Sequence, residues 1–303
     1  MSSWNDIFSE VTGPGQHRSI DDVRRDCIKD LSNMTGRNVI CYYSGWLQKN
    51  NFGGLDLSIN DNDMNGLMNA IYGMDKTRGL DLILHTPGGS FSATEAIVSY
   101  LRSCFPTEIR AIVPHLSMSC GTMIACACNE ILMGRESSLG PTDPQFNGIP
   151  AGGVIAEFKK AKEDVRNDPS SVALWAQIIG KYPPTFLGNC QMAYEKSRET
   201  IKRWLIQWMF ANDSEASGKA ETISQFLNDH SQSGMHDRHY SYDDLVAKGL
   251  NVKRLEDSND LQDKVLSIHH AFMCSFQLSQ ACKIIESSTG RTWIVQAPHP
   301  QTS

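Results

Sequence analysis

Apolar residues in the first half of the chain follow two alternating periods. Asn38 to Tyr43 (NVICYY), Leu80 to Leu84 (LDLIL), Ile109 to Val113 and Ile131 to Met133 are short β-branched or aromatic runs of the kind that form buried strands. Between them, Met64, Leu67, Met68 and Ile71 recur at helical spacing, as do Ala93, Ala96, Ile97, Tyr100, Leu101 and Cys104, and Gly121 to Cys128 reads as a helix of very small residues. Strands that alternate with helices pair in parallel through right-handed crossovers, so the pattern predicts an α/β core with parallel sheets. Ahead of it, Ile20, Val23, Cys27, Ile28 and Leu31 form one apolar stripe with Ser19 or Asp21 as its cap, giving a helical arm over residues 1–36. After Gly148 strand signals nearly vanish. Helices are predicted at about 153–165, 171–179, 187–210, 219–227, 241–248 and 259–286, separated by Asp168-Pro169, Pro183-Pro184 and the stretch from Ser231 to Gly234.

The arm stripe and the last helix, with Leu261, Val265, Ile268, Phe272, Phe276 and Leu278, offer more apolar surface than one compact core requires. The expectation is a homo-oligomer whose neighbours cover these faces. Composition narrows the partners further. With 303 residues, 40% hydrophobic and 20% charged, the chain has an ordinary globular balance, and its net charge of -6 gives no basic surplus for nucleic acid or an anionic membrane. The start, MSSWNDIFSEVTG, carries no basic and apolar leader, and no stretch has the length of uncharged apolar sequence a spanning helix needs, so a cytoplasmic protein is expected. Nine irregularly spaced cysteines read as reduced thiols. Neither the Cys126-x-Cys128 pair nor His230, His236 and His239 has the supporting ligands of a metal site, so no metal or cofactor is expected.

Two segments carry candidate chemistry. Leu82 to Gly89 (LILHTPGG) is a buried strand that stops in a Pro-Gly-Gly turn, where the glycines let the backbone approach a ligand and leave N–H groups for an anion or oxyanion. The same residues would also serve an ordinary strand-to-helix turn. His115 to Thr122 (HLSMSCGT) follows the next strand and opens the small-residue helix, which places Ser119 near the positive end of the helix dipole, as a nucleophile or as a plain N-cap. Adjacent parallel strands bring both segments to one sheet edge.

Together with Asn129 to Met133 (NEILM) and Leu139 to Gln145 (LGPTDPQ), these segments resemble the serine dehydrogenase proteinase family, a Clp-fold group akin to signal peptide peptidase A. The resemblance covers residues 37–255 and implies a Clp and crotonase-like spiral core, with residues 256–303 as a C-terminal helix and tail. It implies a serine endopeptidase acting on peptide or protein substrates, with Ser119 as nucleophile, the N–H groups of Gly89 and Cys120 as oxyanion hole, and Gly88 shaping the turn. Cys120 stands where the family often has alanine, its side chain expected to point away from the site. The base is less direct, because Asp143 occupies the position at which the Clp subunit has histidine, while His236 stands beside Asp237, at the Clp aspartate position. A triad with exchanged places, Ser119, His236 and Asp143, restores the chemistry. The alternative is a Ser-Lys dyad of the signal peptide peptidase type, for which Lys162 lies nearest the apolar face of its helix, ahead of Lys159 and Lys160. Two other readings stay open: an acyl-CoA enzyme of the crotonase type that needs no serine, and a non-catalytic assembly module.

Overall fold

The computed structural model describes residues 4–13, 18–49, 56–229 and 238–297. In chain order the elements begin with α1 (Trp4–Thr12), α2 (Ile20–Thr35), β1 (Asn38–Ser44), α3 (Asp63–Ile71), β2 (Leu80–His85), α4 (Phe91–Cys104) and β3 (Ile109–Val113). They continue with β4 (Leu116–Ser117), α5 (Cys120–Cys126), β5 (Glu130–Met133), β6 (Ser138–Leu139), β7 (Gln145–Phe146), β8 (Ile149–Pro150), α6 (Ala151–Asn167), α7 (Val172–Ile179) and α8 (Phe186–Trp204). A π-helical turn at Leu205–Met209 leads to α9 (Ala216–Asn228), α10 (Tyr242–Ala247), β9 (Val252–Arg254), α11 (Asn259–Leu278), β10 (Ala281–Ser287) and β11 (Thr292–Gln296).

One seven-stranded sheet organises the molecule, in the order β11-β10-β1-β2-β3-β5-β9. From β1 to β9 every pairing is parallel. The strands are buried on both sides, which is why they read as continuous apolar runs. Ile40, Leu82 and Leu84 pack towards α3 and α4 on one face, whereas Val39, Cys41, Tyr43 and Ile83 pack towards α2 and α11 on the other. The α/β expectation therefore holds.

The last expected helix does not run to Glu286. It ends at Leu278, and β10 follows, antiparallel to β1, with β11 antiparallel to β10. Lys283 and Glu286 disguise β10 as an amphipathic segment, yet both are buried, because Asp63 and Arg24 from distant parts of the chain neutralise them. The apolar faces of the arm and of the last helix meet in the same region. Ile7 of α1 and Val23 of α2 pack on Ala271 and Cys274 of α11, and Ile28, Leu31, Val265, Phe272 and Phe276 share one core. Apart from Leu278, which stays exposed, the residues expected to meet a neighbour cover each other within one chain.

Candidate active site

At the end of β2 the chain turns through Gly88 and Gly89 at φ 97° and 155°, both reached at little cost only by glycine. Space matters as much as conformation. A Cβ on Gly88 would lie 2.6 Å from Ser119 Cβ, and one on Gly89 would lie 2.3 Å from the backbone N and O of Ile59. The turn after β3 is tied to this one, since Thr86 N–H donates to Leu116 O and Met118 N–H to Thr86 O, each at 3.0 Å. Gly121 permits that closeness, because a Cβ there would meet Ser117 Oγ and Thr86 Cγ2 at 2.5 Å. The small residues of α5 thus reflect two turns in contact.

Ser119 sits at φ 52°, ψ −115°, between β4 and α5. A non-glycine residue held there stores strain. Its side chain makes no capping hydrogen bond, so the plain N-cap reading fails. Ser117 is fully buried, whereas Ser119 is partly exposed in a cleft of about 470 Å³ that Gly89, Phe91, Met123 and Gln145 also line. Among the described residues, neither the Gly89 nor the Cys120 N–H donates to a backbone carbonyl, which leaves both available to an oxyanion. The Cys120 side chain does not point away from the site. Its thiol donates to Gly89 O at 3.1 Å, and burial raises its pKa, so it stays protonated and braces the glycine turn.

The candidate bases fare differently. Asp143 is buried and its Oδ1 accepts the Gly152 N–H at 3.1 Å, at the start of α6, while its neighbours Thr142 and Pro144 line the cleft. His236 and Asp237, like His230, lie outside the described residues. Lys162 is exposed on α6, whose buried residues are Ala151, Val154 and Ala161; Lys159 and Lys160 are exposed as well. Among the described residues, no histidine or lysine lines the cleft.

Sequence reasoning missed two features. The stretch from Ser58 to Asn60 flanks the glycine turn, and no local pattern marks it. On the opposite side of the same sheet edge, the rings of His85, His115 and His269 lie 5.2 to 5.7 Å apart. Burial, then the neighbouring imidazoles, lowers all three pKa values, that of His269 to about 3; for His115 the neighbour is His239. Leu116 backbone opposes the shift at His85 without reaching hydrogen-bond geometry. His85 and His115 stand inside the two motif segments, so the signal was present but its direction was not. Among the described residues, no group of three His, Cys, Asp or Glu is arranged to hold a metal ion.

A strained serine at one strand end is set against a glycine turn at the end of a neighbouring strand. Residues 10–181 match the family of ClpP-like SDH-type serine proteinases, and the chain belongs to that family. Two uncharacterized proteins of Methanocaldococcus jannaschii are similar: one is 32% identical over 171 residues, 56% of this chain and 59% of its own length, and another 31% identical over 147 residues, 48% and 50% respectively. The chain thus matches only about half the length of these relatives. Among solved structures, the 1510-N membrane-bound stomatin-specific protease with a substrate peptide aligns over 80% of this chain and 84% of its own at 18% identity, with a TM-score of 0.41. Another variant of that protease aligns over 74% and 78% at 17% identity, with a TM-score of 0.34. No helix among the described residues is long and apolar enough to cross a membrane.

Proposed function

We propose that this chain is a serine endopeptidase that hydrolyses peptide bonds through an acyl-enzyme on Ser119. The observation that carries this reading is the strained Ser119 elbow packed against the Gly88–Gly89 turn, with the Gly89 and Cys120 N–H groups open beside it. A scissile carbonyl placed between them is attacked by Ser119 Oγ as a base takes the hydroxyl proton. The tetrahedral oxygen, now negative, is held by the two N–H groups. Collapse expels the amine, which leaves with the proton from the base, and water then hydrolyses the ester with the same base.

His236 is the proposed base, oriented by Asp143. Support comes from the described chain on either side of 230–237: Asn228 Oδ1 accepts the Thr142 hydroxyl at 2.7 Å, and Tyr240 pairs with Leu139, so both flanks are tied to the stretch that leads into Asp143. The exposure of Lys162 weighs against the dyad. Peptide or protein substrates, no cofactor, no nucleic-acid or membrane partner, self-assembly and cytoplasmic residence belong to the same proposal, supported by the family and the acidic net charge of -6.

Labelling with a fluorophosphonate followed by peptide mapping tests the nucleophile. A single adduct on Ser119, absent in Ser119→Ala, is the expected result; a folded wild-type protein that takes no label would leave the assembly module standing. With a histidine base, activity of the wild type rises through a value near 6.5 as pH increases. A rise only at much higher pH would return the role to a lysine.

A further inference from the structure

The glycine turn does not hold itself in place. Ile59 N–H donates to Gly88 O and Ser90 N–H donates to Ile59 O, both at 2.7 Å, so Ile59 lies beside the turn as a one-residue parallel bridge. A peptide unit is planar and trans, and its C=O and N–H point in opposite directions. With the Gly88 carbonyl fixed on Ile59, the N–H of the same unit, that of Gly89, faces away from Ile59, towards the cleft that Gly89 and Ser119 line. The direction of this oxyanion donor is therefore set by where Ile59 sits.

Both chain neighbours of Ile59 are gripped by one buried ionic pair. Lys283 Nζ, in β10, donates to Ser58 O at 2.6 Å and to Asp63 Oδ1 at 2.8 Å. Asp63 Oδ2 in turn accepts the Asn60 N–H at 3.0 Å and the Tyr42 hydroxyl at 2.6 Å. Neither Lys283 nor Asp63 lines the cleft, and both are fully buried. Burying an ion pair is a poor source of stability, and its better-attested use is to fix one geometry among several. Lys283 lies well beyond the residues that match the family.

We propose that Lys283 and Asp63 are positioning residues of the oxyanion turn, acting through Ser58 and Asn60 on Ile59 and so on the Gly88–Gly89 peptide. The catalytic part of this inference rests on the peptidase reading above.

Lys283→Met removes the ammonium and keeps the stem. Asp63→Asn with Lys283→Met removes both charges together, which keeps the test open where the single variant fails to fold. Misdirecting one oxyanion donor lowers kcat per fluorophosphonate-titrated site by roughly 10- to 100-fold, less than outright loss of a donor. KM is expected to stay within about twofold, because that donor acts on the transition state. Binding of a peptide aldehyde, whose adduct places its oxyanion on the same donors, should weaken in step with kcat. Amide hydrogen exchange gives a second readout: Ile59 and Ser90 should exchange at least about tenfold faster, as expected when a local opening becomes easier, while Ile83 and Ile112 keep their protection. A folded variant with unchanged kcat per titrated site, or with unchanged exchange at Ile59 and Ser90, overturns the proposal. If wild-type protein takes no probe and cleaves no peptide, the peptidase reading fails, and the two amides still decide the positioning claim.

Discussion

At the N-terminal end of β2, Asp81 is buried between two guanidinium groups. Arg37 Nε reaches its Oδ1 at 2.6 Å, and Arg110 reaches Oδ1 and Oδ2 through Nε and Nη2, each at 2.8 Å. Four residues further along the same strand, His85 is buried with neither ring nitrogen hydrogen-bonded, and beyond it come two open N–H groups and the strained Ser119. One end pairs its buried carboxylate with two guanidinium groups, and the other leaves both nitrogens of a buried imidazole without a hydrogen bond. Cohesion and the candidate site thus occupy opposite edges of one sheet, the site at the carboxyl ends of the strands, where open α/β sheets place their ligand sites. Unsatisfied and strained groups persist at that edge because the other edge and the core hold the strands in place.

Substitutions at each end test this division, and the largest effect is expected at Ser119. Ser119→Ala should lower peptide hydrolysis by on the order of 10⁴-fold or more, with no loss of melting temperature, since the hydroxyl makes no capping bond. A marked drop in melting temperature would give the serine a structural role instead. Next comes Gly89→Ala, whose Cβ would collide with Ile59 backbone at 2.3 Å and push the donor out of line. Active-site titration with kinetics should show roughly 10²- to 10³-fold less turnover per labelled site. At the other end, Asp81→Ala leaves Arg37 and Arg110 without their shared partner. Denaturant unfolding should report a loss of about 3 kcal/mol, with turnover per labelled site unchanged.

Acid should loosen the histidine edge first. Burial holds His269 at about 3, below its unfolded value near 6.5, so the unfolded chain binds more protons across that window and stability falls as pH drops through it. One such histidine contributes a loss of about 2 kcal/mol at pH 5 relative to neutral pH. His85 and His115, shifted in the same direction, add to it. Unfolding free energies at pH 7.5 and 5, with and without His269→Gln, measure the contribution; equal slopes would remove the histidine from the account. The smallest effect is expected for Cys120→Ala, which deletes one weak thiol donor to Gly89 O and should slow turnover about two- to fivefold, the worth of under 1 kcal/mol. A loss comparable with Ser119→Ala would make the thiol the nucleophile.

Much of this molecule was local and therefore legible. The strands β1, β2, β3 and β5 were readable because burial on both faces forces continuous apolar runs, and the helices between them because one face is apolar. The two motif segments mark Gly88, Gly89 and Ser119 as a candidate site, since a glycine pair and a serine before small residues need no distant partner to be noticed. Other features depended on residues far apart in the chain. Lys283 and Glu286 spoil the apolar pattern of β10 until Asp63 and Arg24 are seen to neutralise them, more than 200 residues away in each case. Likewise, no local rule shows that Ile59 sets the Gly88 carbonyl, that Lys162 faces water, or that α2 and α11 cover each other rather than a second subunit. Periodicity reports which face of an element is apolar, whereas the identity of what covers that face, and the partner that makes a buried charge tolerable, are properties of the folded chain alone.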